Sequence, residues 1–150
     1  KRIGIAAAYK SAQAILAHYG RLTNVRKKGP IDLVTEADQA SERVIIDTIR
    51  AAFNEHAILS EESGWLAGNS DYQWIIDPLD GTTNFAHQVD LFAISIACAT
   101  VAAVAYPSQR NTCFAVLRSN GTKSFLGITC IPLDFLPPRR NLLLPSCEIN

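Results

Sequence analysis

Apolar residues recur at helical spacing through Ile5, Ala8, Ala12, Ile15, Leu16 and Tyr19, and Gly20 supplies a stop. The opening stretch therefore predicts an amphipathic helix. A second helix is expected to start near Thr35 and to bury Val44, Ile45, Ile49 and Phe53. Between the two, Arg26-Lys27-Lys28-Gly29-Pro30 reads as a basic turn. Two apolar runs of strand length follow, Ala57-Ile58-Leu59 and Trp74-Ile75-Ile76, and each ends in acidic residues. The link over 63–72 is rich in Gly, Ser and Asn and reads as a loop. Beyond Phe85 the pattern predicts strands at 92–96, 101–106, 113–117 and 124–128, with turns at 107–111 and 119–121. No Gly, Pro, Asn or Asp stands between Ile96 and Val101 to reverse the chain, which breaks a simple meander. From Ile131 onward Pro132, Pro137, Pro138 and Pro145 interrupt any period, and no packed element is expected.

The 150 residues suit one modest core, and 48% apolar with 19% charged residues is too apolar for a disordered chain. Fourteen basic residues balance fourteen acidic ones, so no bulk field draws the chain onto nucleic acid or an anionic membrane. Any phosphate must be held locally. The longest apolar run, 91–106, falls short of the ~20 residues of a membrane helix, and no signal peptide opens the chain. Cys98, Cys113, Cys130 and Cys147 form no metal-ligand spacing and read as reduced thiols of a cytoplasmic-type compartment. With no methionine anywhere, Lys1 is not expected to be a native start, and the chain reads as a piece of something longer.

The candidate chemistry lies in Trp74-Ile75-Ile76-Asp77-Pro78-Leu79-Asp80-Gly81-Thr82-Thr83-Asn84-Phe85. A strand should deliver Asp77 to its end, Pro78 should force an exit, and a turn should bring Asp80 back beside Asp77. Such carboxylates repel one another without a cation, and Mg²⁺ suits an all-oxygen set that includes the Leu79 carbonyl. Gly81 permits close backbone approach, and Thr82-Thr83-Asn84 opens a short helix whose N–H groups suit phosphate. Taken alone, D-x-x-D-G is more often a structural turn. Glu61-Glu62, ending the preceding strand, shifts the balance, because four carboxylates at two converging strand ends need compensation.

Thr35-Glu36-Ala37-Asp38 has two readings. Spacing favours a capping box; the alternative has Asp38 accept a hydrogen bond from a hydroxyl such as Thr82 and so orient a water. His18, His56 and His87 have no ligand partner at i+3 or i+4, and packing or surface roles are expected.

Asp32-Leu33-Val34-Thr35-Glu36-Ala37-Asp38, Glu61-Glu62-Ser63 and the run from Trp74 to Phe85 together resemble the motifs of the inositol monophosphatase family. The likeness extends over about residues 5–126, and the continuation after Asp80 is similar to that branch rather than to the fructose bisphosphatases. It implies a layered α/β sandwich, truncated, with 1–130 as the N-terminal part of the domain and 131–150 an unmatched tail. It also implies a Mg²⁺-dependent phosphomonoesterase that acts on a small phosphorylated polyol, holds two or three Mg²⁺ ions, is inhibited by Li⁺ and forms a homodimer. By the same resemblance Glu61, Asp77 and the Leu79 carbonyl ligate the first metal, and Asp77 and Asp80 the second. Thr82, supported by Asp38, orients the attacking water, and Glu61 joins them in catalysis. Gly81, Thr82 and Asp80 hold the phosphate, with Lys27 on a loop near the metals. The family's second signature, a downstream Trp-Asp pair, is absent from the 150 residues. A truncated relative that keeps a metal site and works by association is the alternative expectation, with one sheet face left to a dimer partner or another chain.

Overall fold

The computed structural model describes residues 2–22, 25–27, 33–100, 113–119 and 125–132, with side chains over 2–22 and 34–100. Helix α1 (Arg2–His18) leads into a small hairpin, β1 (Val25–Lys27) and β2 (Leu33–Thr35). Helix α2 (Glu36–Ala52) follows directly, then β3 (Ala57–Ser60), β4 (Gly64–Leu66), β5 (Tyr72–Asp80), α3 (Thr82–Ala86), β6 (Ala93–Thr100), β7 (Cys113–Ser119) and β8 (Phe125–Pro132). The last six strands form one sheet in the order β4-β3-β5-β6-β7-β8. Only the β3–β5 pairing is parallel among them.

Alternation along the strands decides which side is covered. Ile58, Trp74, Ile76, Ile94 and Ile96 face α1 and α2 and join Ala8, Ala12, Ile15, Ile45 and Ile49 in one core. Small residues let α1 approach closely: a Cβ on Gly4 would stand 3.4 Å from the Trp74 ring. On the other face Leu59 and Trp65, opposed across the β3–β4 pair, remain 39% and 56% exposed. Ala97 and Ala99 of the same face are buried. Among the described residues no helix is long and apolar enough to cross a membrane.

The layered α/β architecture agrees with the expectation, and several local readings change. The basic turn is in part a strand pair, Arg26 opposite Val34. Gly64–Leu66, read as loop, forms the edge strand β4, since pairing with β3 satisfies backbone groups that Gly and Ser do not signal. Phe53 is 37% exposed instead of buried; it is the C-cap of α2, its N–H bonds to the Ile49 carbonyl, and its ring stacks on His56 at 4.5 Å. Strand β6 runs unbroken to Thr100, so no reversal is needed between Ile96 and Val101. Strands β6 and β7 pair antiparallel, and 101–112 lie outside the described residues, with the expected strand 101–106 and turn 107–111. Strand β8 extends to Pro132, past the point where packing was expected to stop; 133–150 lie outside the described residues.

Candidate metal centre

Parallel pairing of β3 with β5 matches Ser60 with Ile76, so the residues that follow, Glu61 and Asp77, emerge at one edge of the sheet. The Glu61 N–H bonds to the Ile76 carbonyl at 3.2 Å and extends that alignment by one residue. Asp77 does not end its strand, as the sequence suggested. Pairing with β6 is interrupted between Asp77 and Asp80 and resumes at Asp80 opposite Ala93. Pro78 sits inside this bulge, where its missing N–H costs no ladder bond. The extra residue turns both carboxylates and the buried Leu79 backbone toward one cleft.

That cleft, about 260 Å³, is lined by Glu61, Asp77, Leu79, Asp80, Gly81, Thr82, Thr83 and Asn84. Gly81 adopts a left-handed φ of +87°, and a Cβ there would lie 2.9 Å from the Leu91 carbonyl oxygen. Only glycine fits this turn into α3. Asn84 holds the same Leu91 carbonyl through its side-chain amide at 2.8 Å. Glu62 does not join the cluster: it lines a separate groove with Val34, Arg43 and Asp47, leaving three carboxylates in the cleft instead of four.

Asp38 makes the hydrogen bonds of both readings between which the spacing left a choice. Its Oδ2 accepts from the Thr35 N–H at 2.7 Å and from the Thr35 hydroxyl at 2.6 Å, and the Thr35 side chain accepts from Ala37 N, forming the capping box. Its Oδ1 accepts from the Thr82 hydroxyl at 2.8 Å. The Leu79 carbonyl lies 2.9 Å from the same hydroxyl, whose single proton serves the carboxylate better than the neutral carbonyl. Lys27 lies in β1, and its side chain is outside the described residues. His56 accepts from Trp74 Nε1 at 3.0 Å within an aromatic stack, and His18 stands 4.0 Å from Glu36.

Burial, then the charges of Glu61 and Asp80, push Asp77 up to about 8, against a smaller lowering by the Leu79 N–H at 3.2 Å. Burial is the larger cause; the like-charge crowding by Glu61 and Asp80 is the part that a divalent cation would relieve. Carboxylates and a carbonyl are hard oxygen donors, so the donor set fits Mg²⁺. Among the described residues no three acidic, histidine or cysteine side chains converge tightly enough to hold an ion by themselves. An ion held here would need the Leu79 carbonyl and water to complete its shell.

Two residues of the site escaped the sequence reading. Ser41 donates its hydroxyl to the Pro78 carbonyl at 2.6 Å, and Glu42 accepts from the Ser63 N–H and hydroxyl at 2.9 and 2.7 Å. The only available signal was their place on the same helical face as Asp38.

The fold is a layered α/β sandwich with paired carboxylates at a β-bulge and a glycine turn beside them. The sequence matches the profile of the inositol monophosphatase family over residues 1–128, and the chain belongs to that family. It is 44% identical over 128 residues to the Nus factor SuhB of Escherichia coli, covering 81% of this chain and 48% of that protein. The structure is similar to an IMPase of Thermotoga maritima, with a TM-score of 0.62 and 32% identity over 81% of this chain and 48% of that one. It also shares the fold, at TM-score 0.57 and 20% identity, of an IMPase/NADP phosphatase solved with Mg²⁺ and phosphate, covering 81% and 46% of the two chains. The chain spans about half the length of the curated relatives it matches.

Proposed function

We propose that this chain carries the first part of a Mg²⁺-dependent phosphomonoesterase site for a small phosphorylated polyol. The observation that carries the reading is the meeting of Glu61, Asp77 and Asp80 in one cleft that also presents the Leu79 carbonyl. Glu61, Asp77 and Leu79 would hold one ion, and Asp77 with Asp80 part of a second. Bound there, magnesium supplies Lewis-acid polarisation of the phosphate and lowers the pKa of a water. The protein's own contribution is orientation. Asp38, fixed on Oδ2 by Thr35, takes the Thr82 proton on Oδ1 and leaves the Thr82 oxygen as an acceptor toward the cleft, where it orients a water. The N–H groups of Gly81 and Thr82, at the start of α3, are the donors proposed for the phosphate, with Lys27 as a further contact. Support comes also from the fold neighbour solved with Mg²⁺ and phosphate.

The test is Mg²⁺ titration calorimetry on the parent chain and on Asp80→Asn. Affinity should fall while thermal stability holds, because the substitution removes a charge that the metal-free cleft disfavours. Unchanged affinity removes the ligand assignment. A second reading, association in place of turnover, is favoured by the exposed Leu59 and Trp65 at the sheet edge. A phosphate-release assay separates the two.

A further inference from the structure

The cleft is assembled from three chain segments that meet only in space: the turn after β3, the bulge of β5 and the start of α3. Each of them hydrogen-bonds to the same helix. Asp38 takes the Thr82 hydroxyl, Ser41 binds the Pro78 carbonyl, and Glu42 binds both donors of Ser63. Positions 38, 41 and 42 are spaced i, i+3 and i+4, and so share one face of α2. All three are buried, at 1%, 0% and 6% exposure. Anchoring a helix to a sheet requires only apolar side chains, as Ile45 and Ile49 show one turn later. Polar groups buried in that face carry a desolvation cost. Here each of them ends on a segment that supplies the cleft.

The hydrogen-bond directions single out Ser41. Its hydroxyl has one proton, and the Pro78 carbonyl can only accept, so that proton is committed to the bulge. Ser11 Oγ of α1, 2.6 Å from Ser41 Oγ, must therefore be the donor in the Ser11–Ser41 bond. Ser11 backs Ser41 without a hydrogen bond to the bulge.

We infer that Ser41 and Glu42 are positioning residues for the cleft. Ser41 fixes the bulge that presents Asp77 and the Leu79 carbonyl, and Glu42 fixes the turn that presents Glu61. One helix face thereby sets the separation between ligands delivered by two strands. The inference rests on the proposed metal reading, and its test includes a readout that needs no metal.

On the whole 150-residue chain, Mg²⁺ affinity is measured by calorimetry, local order by amide hydrogen exchange, and folding by thermal melts. Ser41→Ala should weaken Mg²⁺ binding roughly tenfold, the lower end of what outer partners of metal ligands contribute. It should also speed exchange over 77–82 while 61–63 stay protected. Glu42→Gln should weaken binding to a similar degree and speed exchange over 61–63 instead. Ser11→Ala should lower the melting temperature yet leave affinity within about twofold, since the Ser41 donor remains. Ser41→Thr keeps the hydroxyl and should restore affinity and protection. If Ser41→Ala does not fold, Ser41→Cys, close in volume and a weak donor, takes its place. Variants that lose stability but keep parental affinity and local exchange would overturn the inference, leaving these residues as ordinary buried polar groups. Segment-specific exchange changes in a chain that binds no Mg²⁺ would uphold positioning and remove the metal from the reading. No change in either readout removes positioning alone if the parent binds Mg²⁺, and both if it does not.

Discussion

Thr82 donates its hydroxyl to Asp38 at 2.8 Å, joining the start of α3 to the start of α2 across 44 positions of sequence. Asp38 is itself pinned by Thr35 through two bonds, so its free oxygen has little room to follow a moving partner. In a form of the protein that releases phosphate, Thr82→Ala should lower kcat by on the order of 10²–10⁴, the range of positioned proton-transfer groups. Mg²⁺ affinity should stay near that of the parent, because the hydroxyl is not a ligand. Steady-state kinetics beside calorimetry checks this, and wild-type turnover would take Thr82 out of the mechanism.

Asp77 supplies a pH dependence with a definite sign. Its folded-state pKa is raised from an ordinary 3.8 to about 8, so the folded chain binds this proton more tightly than the unfolded chain. The stability it contributes is fully present below the ordinary value and is lost as pH rises through about 8. In EDTA the melting temperature should therefore fall between about pH 4 and about pH 8, and Asp77→Asn should flatten that slope. Mg²⁺ affinity should rise over the same interval, since the ion displaces the proton. A melting temperature that climbs with pH in EDTA would contradict the crowding of Asp77 by Glu61 and Asp80.

The acidic cleft was legible because its carboxylates follow short apolar runs and stand in Asp-Pro and Asp-Gly steps, which are local signals. Helix α1 and the Thr35 cap were legible for the same reason, with Gly20 at a φ of +71° marking the stop. What escaped depended on pairing. Strand β4 exists because β3 lies beside it, and β5 passes through Pro78 because a bulge absorbs the proline. The polar face of α2 was hidden for a related reason. Ser41 and Glu42 look like a solvated surface in sequence, and only the convergence of distant segments gives them partners. Phe53 continued the apolar period by one position beyond the last helical turn and was misread as core.

Two glycines separate fold from site. Gly81→Ala places a Cβ 2.9 Å from a backbone oxygen at a φ of +87°, and rotation of a side chain cannot relieve it. The cost should be about 1–3 kcal/mol of stability. Mg²⁺ binding should weaken as well, because Asp80 and Thr82 flank the distorted turn. Gly68→Ala meets Glu55 O and Ala57 N at 2.4 Å, away from the cleft. It should lower the melting temperature at least as much while preserving Mg²⁺ affinity in the chains that remain folded. Equal effects of both variants on Mg²⁺ binding would mean that the Gly81 turn has no special role in shaping the site.

The last prediction concerns turnover by the 150-residue chain itself. On the proposed reading Glu61, Asp77 and the Leu79 carbonyl, which line one cleft with Asp80, would give one ion a protein set, whereas a second would have only Asp77 and Asp80. The family resemblance implies a further aspartate from a downstream Trp-Asp pair, and no such pair occurs in these residues. Half of a two-ion clamp leaves the departing oxygen poorly stabilised. Exposed Leu59 and Trp65 at the β3–β4 edge add a tendency to associate, through an unpaired strand edge as well as apolar surface. We therefore expect weak Mg²⁺ binding, phosphate release from a small polyol phosphate no faster than that of Asp77→Asn, and elution in size-exclusion chromatography as more than a monomer. Assay and chromatography are run on the same purified sample over a range of Mg²⁺. Brisk, Mg²⁺-dependent release by a clean monomer, abolished in Asp77→Asn, would show that the three carboxylates and the α3 turn suffice without a further aspartate.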